Sequence, residues 1–373
     1  MQTFLDLGIS PQLSKALKEM NITQPTEIQE KAIPKLLTGN TDFVGLAHTG
    51  TGKTAAFGLP ILQLIDPDKP QVQAIILTPT RELAQQIKKQ LFKFTKYTDK
   101  KIFVEAVYGG EKIDKQIQKL QRPTHIIVAT PGRLIDLINR KVIDLSQVKI
   151  LVLDEADEML SMGFKQELNE ILKHTNADKN TWLFSATMPD GVKRIIKQYM
   201  NPNAPRIEIA ADNLINNNIT HQYIKTPVKE KLDQLISFLY QHKEQRGIIF
   251  DKTKAGAQNV CKELLDKGFS VGVLEGNMQQ RERDKVMRAF KNGKLQILVS
   301  TDVSARGIDV NDLNFVVHYR LPEQLEYYTH RSGRTARAGK KGTSIAFILP
   351  GEMEQLQKIQ KSLGIKFKEL KNN

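Results

Sequence analysis

A single cysteine, Cys261, stands in 373 residues, which excludes an internal disulfide and any Cys-rich metal site. It falls in the helical pattern GAQNVCKELLDKG and reads as a packing residue. No apolar run reaches the roughly 18 residues that a membrane-spanning helix needs, so no membrane partner is expected. The N-terminal stretch MQTFLDLGIS has neither a basic n-region nor an apolar h-region, so a secretory leader is not expected there. Short repeats and low-complexity segments are also missing. What is present is ordinary for a globular protein: 40% hydrophobic and 26% charged residues. The length suits about two domains of roughly 150 residues each. One quantity is out of balance, a formal net charge of +14. That excess favours an anionic partner, with nucleic acid first among candidates and a solvated basic surface as the alternative. The expected compartment is the cytoplasm.

Short β-branched runs alternate with amphipathic helical stretches. In the first half the strand candidates are DFVGLA, AIILTP, IFVEAVYG, HIIVATP, ILVLDEA and TWLFSATM. Helical patterns such as ELAQQIKKQLFKFT and GRLIDLINR lie between them. Continuous apolar strands alternating with helices imply a mostly parallel sheet covered on both faces. Polar, Asn-rich residues 210–218 read as a linker. The rhythm then restarts with RGIIFDKT, FSVGVLEGN, LQILVSTD, NFVVHYRLP and TSIAFILP. Two tandem α/β domains are therefore expected, over residues 1–209 and 219–373. Polar residues gather just after the strands, at Thr78–Arg81, Gly109–Gly110, Thr130–Arg133, Asp154–Asp157, Ser185–Thr187, Asp251 and Thr301–Asp302. Ligands of open α/β sheets bind outside the carboxyl ends of the strands. Two such edges facing each other would form one cleft.

GLAHTGTGKTAAFG follows the first strand. It departs from the strict phosphate-loop pattern G-x-x-x-x-G-K-[ST] only at Ala47, which replaces the first glycine. Gly50 and Gly52 let backbone N–H groups close on a phosphate, and a helix starting near Lys53 adds its positive end. Lys53 would contact the β- and γ-phosphates, and the Thr54 hydroxyl would ligate Mg²⁺. Asp154, ending an apolar strand, is the expected second Mg²⁺-holding group; Glu155 can position and deprotonate a water. A bland reading remains for the acids that follow, a helix N-terminus complementing its dipole. On that reading Glu158 is a solvated surface residue. In YYTHRSGRTARAG, Arg331, Arg334 and Arg337 recur every three residues, which on a helix places them on one face. Such a face suits a developing phosphoryl charge or, alternatively, an RNA backbone.

Taken together these motifs resemble the DEAD-box RNA helicases of helicase superfamily 2, from Phe4 to about Gly342; Asp154-Glu155-Ala156-Asp157 spells the family name. The resemblance implies two RecA-like domains and an RNA-stimulated ATPase that uses ATP and Mg²⁺. It implies local, non-processive unwinding of short RNA duplexes and remodelling of RNA–protein assemblies. NITQPTEIQ is similar to the Q motif: Gln29 would read the adenine edge, with Phe4 upstream and Ile22 packing on the base. Asn21 and Ile22 stand where the family usually has Gly and often has Phe. Ala47, His48, Thr49, Gly50, Thr51, Gly52, Lys53 and Thr54 match motif I, with His48 in place of the usual Gln. Pro79, Thr80, Arg81, Gly110, Thr130 and Arg133 correspond to the RNA-gripping loops of the first domain. Ser185 and Thr187 would couple Asp157 to domain closure.

In the second domain Gln280, Arg283, Thr301 and Asp302 would meet RNA, and Gly307 and Asp309 the nucleotide, Asp309 at the ribose. His330 would stand at the domain interface, with Arg334 and Arg337 as arginine fingers. Ser332, Ala336 and Arg320 depart from the usual Ile, Gly and acid. RNA gripped through phosphates and 2′-hydroxyls implies little sequence readout, on single strands and short duplexes, by a monomeric core. Competing readings are a DNA helicase of the same superfamily, an ATP-binding RNA clamp of low turnover, and a protein-remodelling ATPase. Gln29, Phe4 and Asp157 argue against the first, and Glu155 with the two arginines against the second.

Overall fold

The computed structural model describes residues 2–47, 50–176, 178–209, 218–276, 278–305, 310, 313–323, 325–336 and 340–370. The chain divides after Ile209 into two compact units. Each is built on its own seven-stranded sheet.

In the first unit the strands are β1 Phe43–Leu46, β2 Ala74–Leu77, β3 Val104–Val107, β4 Ile126–Ala129, β5 Ile150–Asp154, β6 Asn180–Ser185 and β7 Arg206–Glu208. Its helices are α1 Pro11–Glu19, α2 Glu27–Leu36, α3 Lys53–Leu64, α4 Arg81–Phe94, α5 Ile113–Leu120, α6 Pro131–Asn139, α7 Ala156–Ser161, α8 Lys165–His174 and α9 Asp190–Tyr199. All pairings of the sheet are parallel. Alternate residues of the central strands feed two separate cores: Ile76, Val128 and Val152 point to one, and Ile75, Ile127 and Leu151 to the other. Helices cover both faces, so neither alternate set can be polar, and the strands read as unbroken apolar runs.

The strand order, β3-β4-β2-β5-β6-β1-β7, sorts the chemistry. Adjacent strands β5, β6 and β1 deliver the acidic turn, Ser185–Thr187 and the phosphate loop side by side at their carboxyl ends. Adjacent strands β3, β4 and β2 deliver Gly109–Gly110, Thr130–Arg133 and Thr78–Arg81. One sheet edge is thereby divided into a half that carries the Gly-Lys-Thr loop and the acids and a half rich in Gly, Thr and Arg.

The second unit has β8 Ile219–Lys225, β9 Gly247–Phe250, β10 Val271–Leu274, β11 Ile297–Ser300, β12 Phe315–His318, β13 Gly342–Ile348 and β14 Lys368–Glu369. Its helices are α10 Lys231–Gln241, α11 Lys254–Asp266, α12 Gln280–Lys291, α13 Asp302–Ala305, α14 Leu325–Ser332 and α15 Met353–Leu363. The order is β10-β11-β9-β12-β13-β8-β14, again parallel throughout. Close packing fixes Gly247: an added Cβ would lie 2.0 Å from the Phe315 ring.

Strands β7, β8 and β14 escape a reading by apolar runs. In β7 only Ile207 turns inward, β8 carries Thr220, His221 and Gln222, and β14 is two exposed residues. Of the expected linker, residues 210–217 lie outside the described residues. Cys261 is buried in the α11 core face, and burial pushes its thiol up, consistent with packing.

Candidate nucleotide and RNA site

The phosphate loop is shaped by two left-handed glycines, Gly50 at φ 87° and Gly52 at φ 93°. Gly52 caps α3, and a Cβ there would stand 2.3 Å from the Gln29 amide nitrogen. That contact has a purpose. Gln29 is 3% exposed; its Oε1 accepts from the Thr26 N–H at 2.9 Å and its Nε2 donates to the Gly52 carbonyl at 3.0 Å. Thr26 in turn donates its hydroxyl to the Thr51 carbonyl at 2.7 Å. The cap of α2 therefore braces the loop. Asn21 adopts φ 58°, a left-handed turn that Asn tolerates better than most residues. Ile22 is half-buried against the core, and Phe4 is 2% exposed within it.

Lys53 is buried, and its Nζ donates to the Ala47 carbonyl at 2.9 Å. Thr54 follows it in the first turn of α3. Asp154, at the end of β5, is 3% exposed, and its Oδ1 has no hydrogen-bond partner. Burial pushes its carboxyl up to about 7; Lys53 opposes this, and the neighbouring Glu155 and Asp157 charges reinforce it. An orphaned buried carboxylate oxygen is the donor a hard cation would take. No group of three or more His, Cys, Asp or Glu able to hold a metal occurs among the described residues. An ion here would complete its shell with Thr54, ligand oxygens and water.

Glu155 adopts φ 53° as the cap of α7. A non-glycine residue in that region is strained by about 1–3 kcal/mol, held here between the fixed end of β5 and the buried Ala156. Asp157 Oδ2 accepts from both the N–H (2.8 Å) and the hydroxyl (2.7 Å) of Thr187. The Asp157 N–H donates to Ser185 Oγ at 3.2 Å. The structure thus brings Asp157, Ser185 and Thr187 together. Glu158 corrects the sequence reading: it is 5% exposed, not a solvated surface residue, and accepts from the Ser161 hydroxyl at 3.2 Å. α7 packs this face inward through α9 and β6, which an acidic stretch does not announce.

The other half of the sheet edge is cross-braced. Thr80 caps α4, accepting from the Leu83 N–H; Pro79 and Thr130 are buried beside their helix starts. Gly110 takes φ 82°. The Arg81 guanidinium lies over the Tyr108 ring at 4.9 Å. Arg133 donates to the Glu111 carbonyl at 3.1 Å and to Gln116 Oε1 at 3.0 Å. Gln116 is fully buried and donates to the Tyr108 carbonyl at 2.9 Å. Sequence reasoning misses Tyr108 and Gln116, because each looks like a routine strand or helix residue. They tie the three loops into one unit.

In the second unit the expected three-arginine helix face does not form. α14 ends at Ser332, so Arg334 lies in the following turn, and Arg331 is 2% exposed. Arg331 pairs bidentately with Asp302, at 2.5 and 2.6 Å, and donates to the Arg320 carbonyl at 2.8 Å. Each oxygen of Asp302, expected to meet RNA, accepts one bond from Arg331. Arg331 also reaches His318 Nδ1 at 3.4 Å. Arginine only donates, so Nδ1 accepts and Nε2 carries the hydrogen toward Ser344 (3.0 Å) and Ser332 (3.3 Å). Arg283 donates to the Ser304 carbonyl, Thr301 to Ser304 Oγ, and Gln280 to Asp284. Arg320 stands 3.5 Å from buried Asp251. His48, Thr49, Gly307, Asp309 and Arg337 lie outside the described residues.

The DEAD/DEAH box helicase family model matches residues 26–195, and the helicase conserved C-terminal domain matches residues 230–339. The ATP-dependent RNA helicase CshA of Limosilactobacillus reuteri is 43% identical over 368 residues, 99% of this chain and 73% of that protein. The chain belongs to the DEAD-box ATP-dependent RNA helicases. CshA of Geobacillus kaustophilus is 41% identical, over 100% of this chain and 79% of that one. Among solved structures, S. cerevisiae Dbp5 bound to RNA and ADP BeF3 matches with a TM-score of 0.91 at 34% identity, covering 99% of this chain and 96% of its own. Mss116p bound to ssRNA and AMP-PNP gives 0.87 at 29% identity, covering 100% and 80%. Within this DEAD-box chain the departures at Asn21 and Ser332 are accommodated: one turns left-handed as Gly would, and the other joins the buried hydroxyls around His318.

Proposed function

We propose that this DEAD-box protein is an RNA-stimulated ATPase that locally and non-processively unwinds short RNA duplexes and remodels RNA–protein assemblies. The observation that carries it is Asp154: a buried carboxylate oxygen without a partner, two strands along the sheet edge from the phosphate loop and near the Lys53 cation. Mg²⁺ would be held by that oxygen together with the Thr54 hydroxyl, and when bound it would supply positive charge to the phosphate oxygens. Lys53 exchanges its Ala47 carbonyl for β- and γ-phosphate oxygens. Glu155, its backbone fixed in the left-handed turn, orients a water and takes its proton. Arg334 and Arg337 bring charge to the transferring phosphoryl group from the second domain. Gln29 keeps one N–H and one lone pair for the adenine edge while bracing Gly52. Asp157, through Thr187 and Ser185, links the state of the nucleotide to closure, with His330 at the interface.

Arg81, Thr80, Thr130, Gly110 and Arg133 grip RNA phosphates, aided by Thr301, Gln280 and Arg283, so little sequence preference follows. We place the protein in the cytoplasm; among the described residues no helix is long and apolar enough to cross a membrane. The decisive test is Glu155→Gln. Nucleotide binding should persist, with RNA-stimulated turnover falling by about 10²–10⁴ and an RNA-bound complex accumulating. Unchanged turnover removes Glu155 as the base, and equal stimulation by DNA removes the preference for RNA.

A further inference from the structure

We infer that the first unit carries a second RNA-contact surface, separate from the loops at the strand ends, in a cavity between α1, the later half of α4 and the start of β3. The inference rests on the RNA reading above. The cavity measures about 850 Å³ and is lined by Met20, Phe92, Lys93, Lys101 and Phe103 among others. Two aromatic rings are left to solvent there, Phe92 at 73% and Phe103 at 42% exposure. Exposed aromatics of that size on one patch ask for a partner. Phe103 is held from beneath, stacked on His125 with ring centroids 5.7 Å apart. It is therefore a fixed platform for a planar group.

The surrounding charge chooses the partner. Lys88, Lys93, Lys96 and Lys101 line the cavity against Glu19, Asp99 and Glu105, a small cationic excess. Lys88 and Lys96 are paired with Glu105 and Glu19, and Lys100 with Asp68. Lys93 and Lys101 have no ion-pair partner among the described residues. Flat rings flanked by uncommitted ammonium groups suit bases joined by phosphates, since every base offers a π-face and every linkage a charge. An acidic apolar peptide is the other candidate, but the cavity's aliphatic side chains, Ile102 and Val104, are buried and offer it little. Position agrees: α4 begins at Arg81 in the RNA loops, and its 14 residues run about 20 Å toward the cavity. A strand leaving the loops along α4 would reach it.

Length dependence tests this. RNA-stimulated ATPase is measured with an oligouridylate of about 10 nucleotides, the span of one binding module, and with one about four times longer. The variants are Phe92→Ser and the double variant Lys93→Ala with Lys101→Ala, all at exposed positions. Each should raise the half-stimulating concentration of the long RNA about tenfold and leave that of the short RNA unchanged. The lysine variant should also flatten the log–log salt dependence on long RNA, by roughly 0.7 for each phosphate that is no longer neutralised. Unchanged long-RNA affinity and salt slope overturn the inference. So does unchanged RNA affinity together with abolished binding of a poly-glutamate peptide, which assigns the surface to a protein. Failure of short RNA to stimulate the unaltered protein would instead overturn the RNA reading itself.

Discussion

Gln29 braces the phosphate loop, and we propose that the same side chain selects adenine. The sequence invites reading it as an adenine selector, yet its amide first connects the cap of α2 to the carbonyl of Gly52. Gln29→Glu removes the donor from both tasks, and comparing ATP with GTP separates them. A glutamate at that position preserves the capping box, because its oxygen still accepts from the Thr26 N–H. It cannot donate to the Gly52 carbonyl and instead sets an anion against it, a buried mismatch of about 1–3 kcal/mol. The expected result is a drop of about tenfold or more in affinity for ATP and GTP alike, read by titration with fluorescent nucleotides. If GTP affinity holds while ATP affinity falls, the brace is irrelevant and base reading is the whole role. Gln29 is visible in the sequence through its place in QPTEIQ; the brace is not, because sequence spacing gives no hint that Gly52 closes over it.

Among elements, α14 is the most instructive. Its expected cationic face is replaced by a buried chain of contacts from Asp302 through Arg331, His318 and Ser344 to Tyr328 and His221. Arginine spacing announces a face only if the helix continues, and here it stops at Ser332. Long charged side chains are also seldom expected inside a core, so neither Arg331 nor Glu158 is legible as buried. The strands with unbroken apolar runs are legible because both faces are covered; β8, alternating and polar, is not. Removing one member of a buried, hydrogen-bonded ion pair strands the other. Asp302 keeps some contact with water, so Arg331→Ala should cost up to about 3 kcal/mol. In urea the second unit should unfold earlier, followed by far-UV circular dichroism, while the transition of the first unit stays in place. Coincident, unshifted transitions would place Arg331 outside the stability of its unit.

Across the whole molecule, acid should act on the second unit more than the first. Burial pushes His221 down to about 4, and His318 goes down too, by burial first and then by the adjacent Arg331 charge and His221. Burial also lowers His125 in the first unit. Each ring binds its proton more weakly folded than unfolded. The unfolded chain therefore takes up more protons below about pH 6.5, and stability falls as pH drops from there toward 4. Above 6.5 these groups contribute no pH dependence. In the first unit the raised Asp154 carboxyl works the other way, so the decline should be read in the second unit's thermal transition from pH 7 to pH 4, and His221→Phe should flatten it, leaving Tyr328 its contact with Ser344. A second-unit transition that does not move between pH 6.5 and 4.5 would refute the assignment.

The hydrogen bond from Lys53 to the Ala47 carbonyl gives the phosphate loop an internal occupant. Entry is thus a swap, not a simple arrival: a newcomer must present an oxygen better than a peptide carbonyl before the ammonium will turn to it. Anionic phosphate meets that condition; the sugar and base of a nucleoside do not. In the function proposed above, recognition would run as two gates in series, the first opened by charge and the second, at Gln29, by the pattern of donors and acceptors on the ring. A molecule that passes only the second gate finds the first still latched.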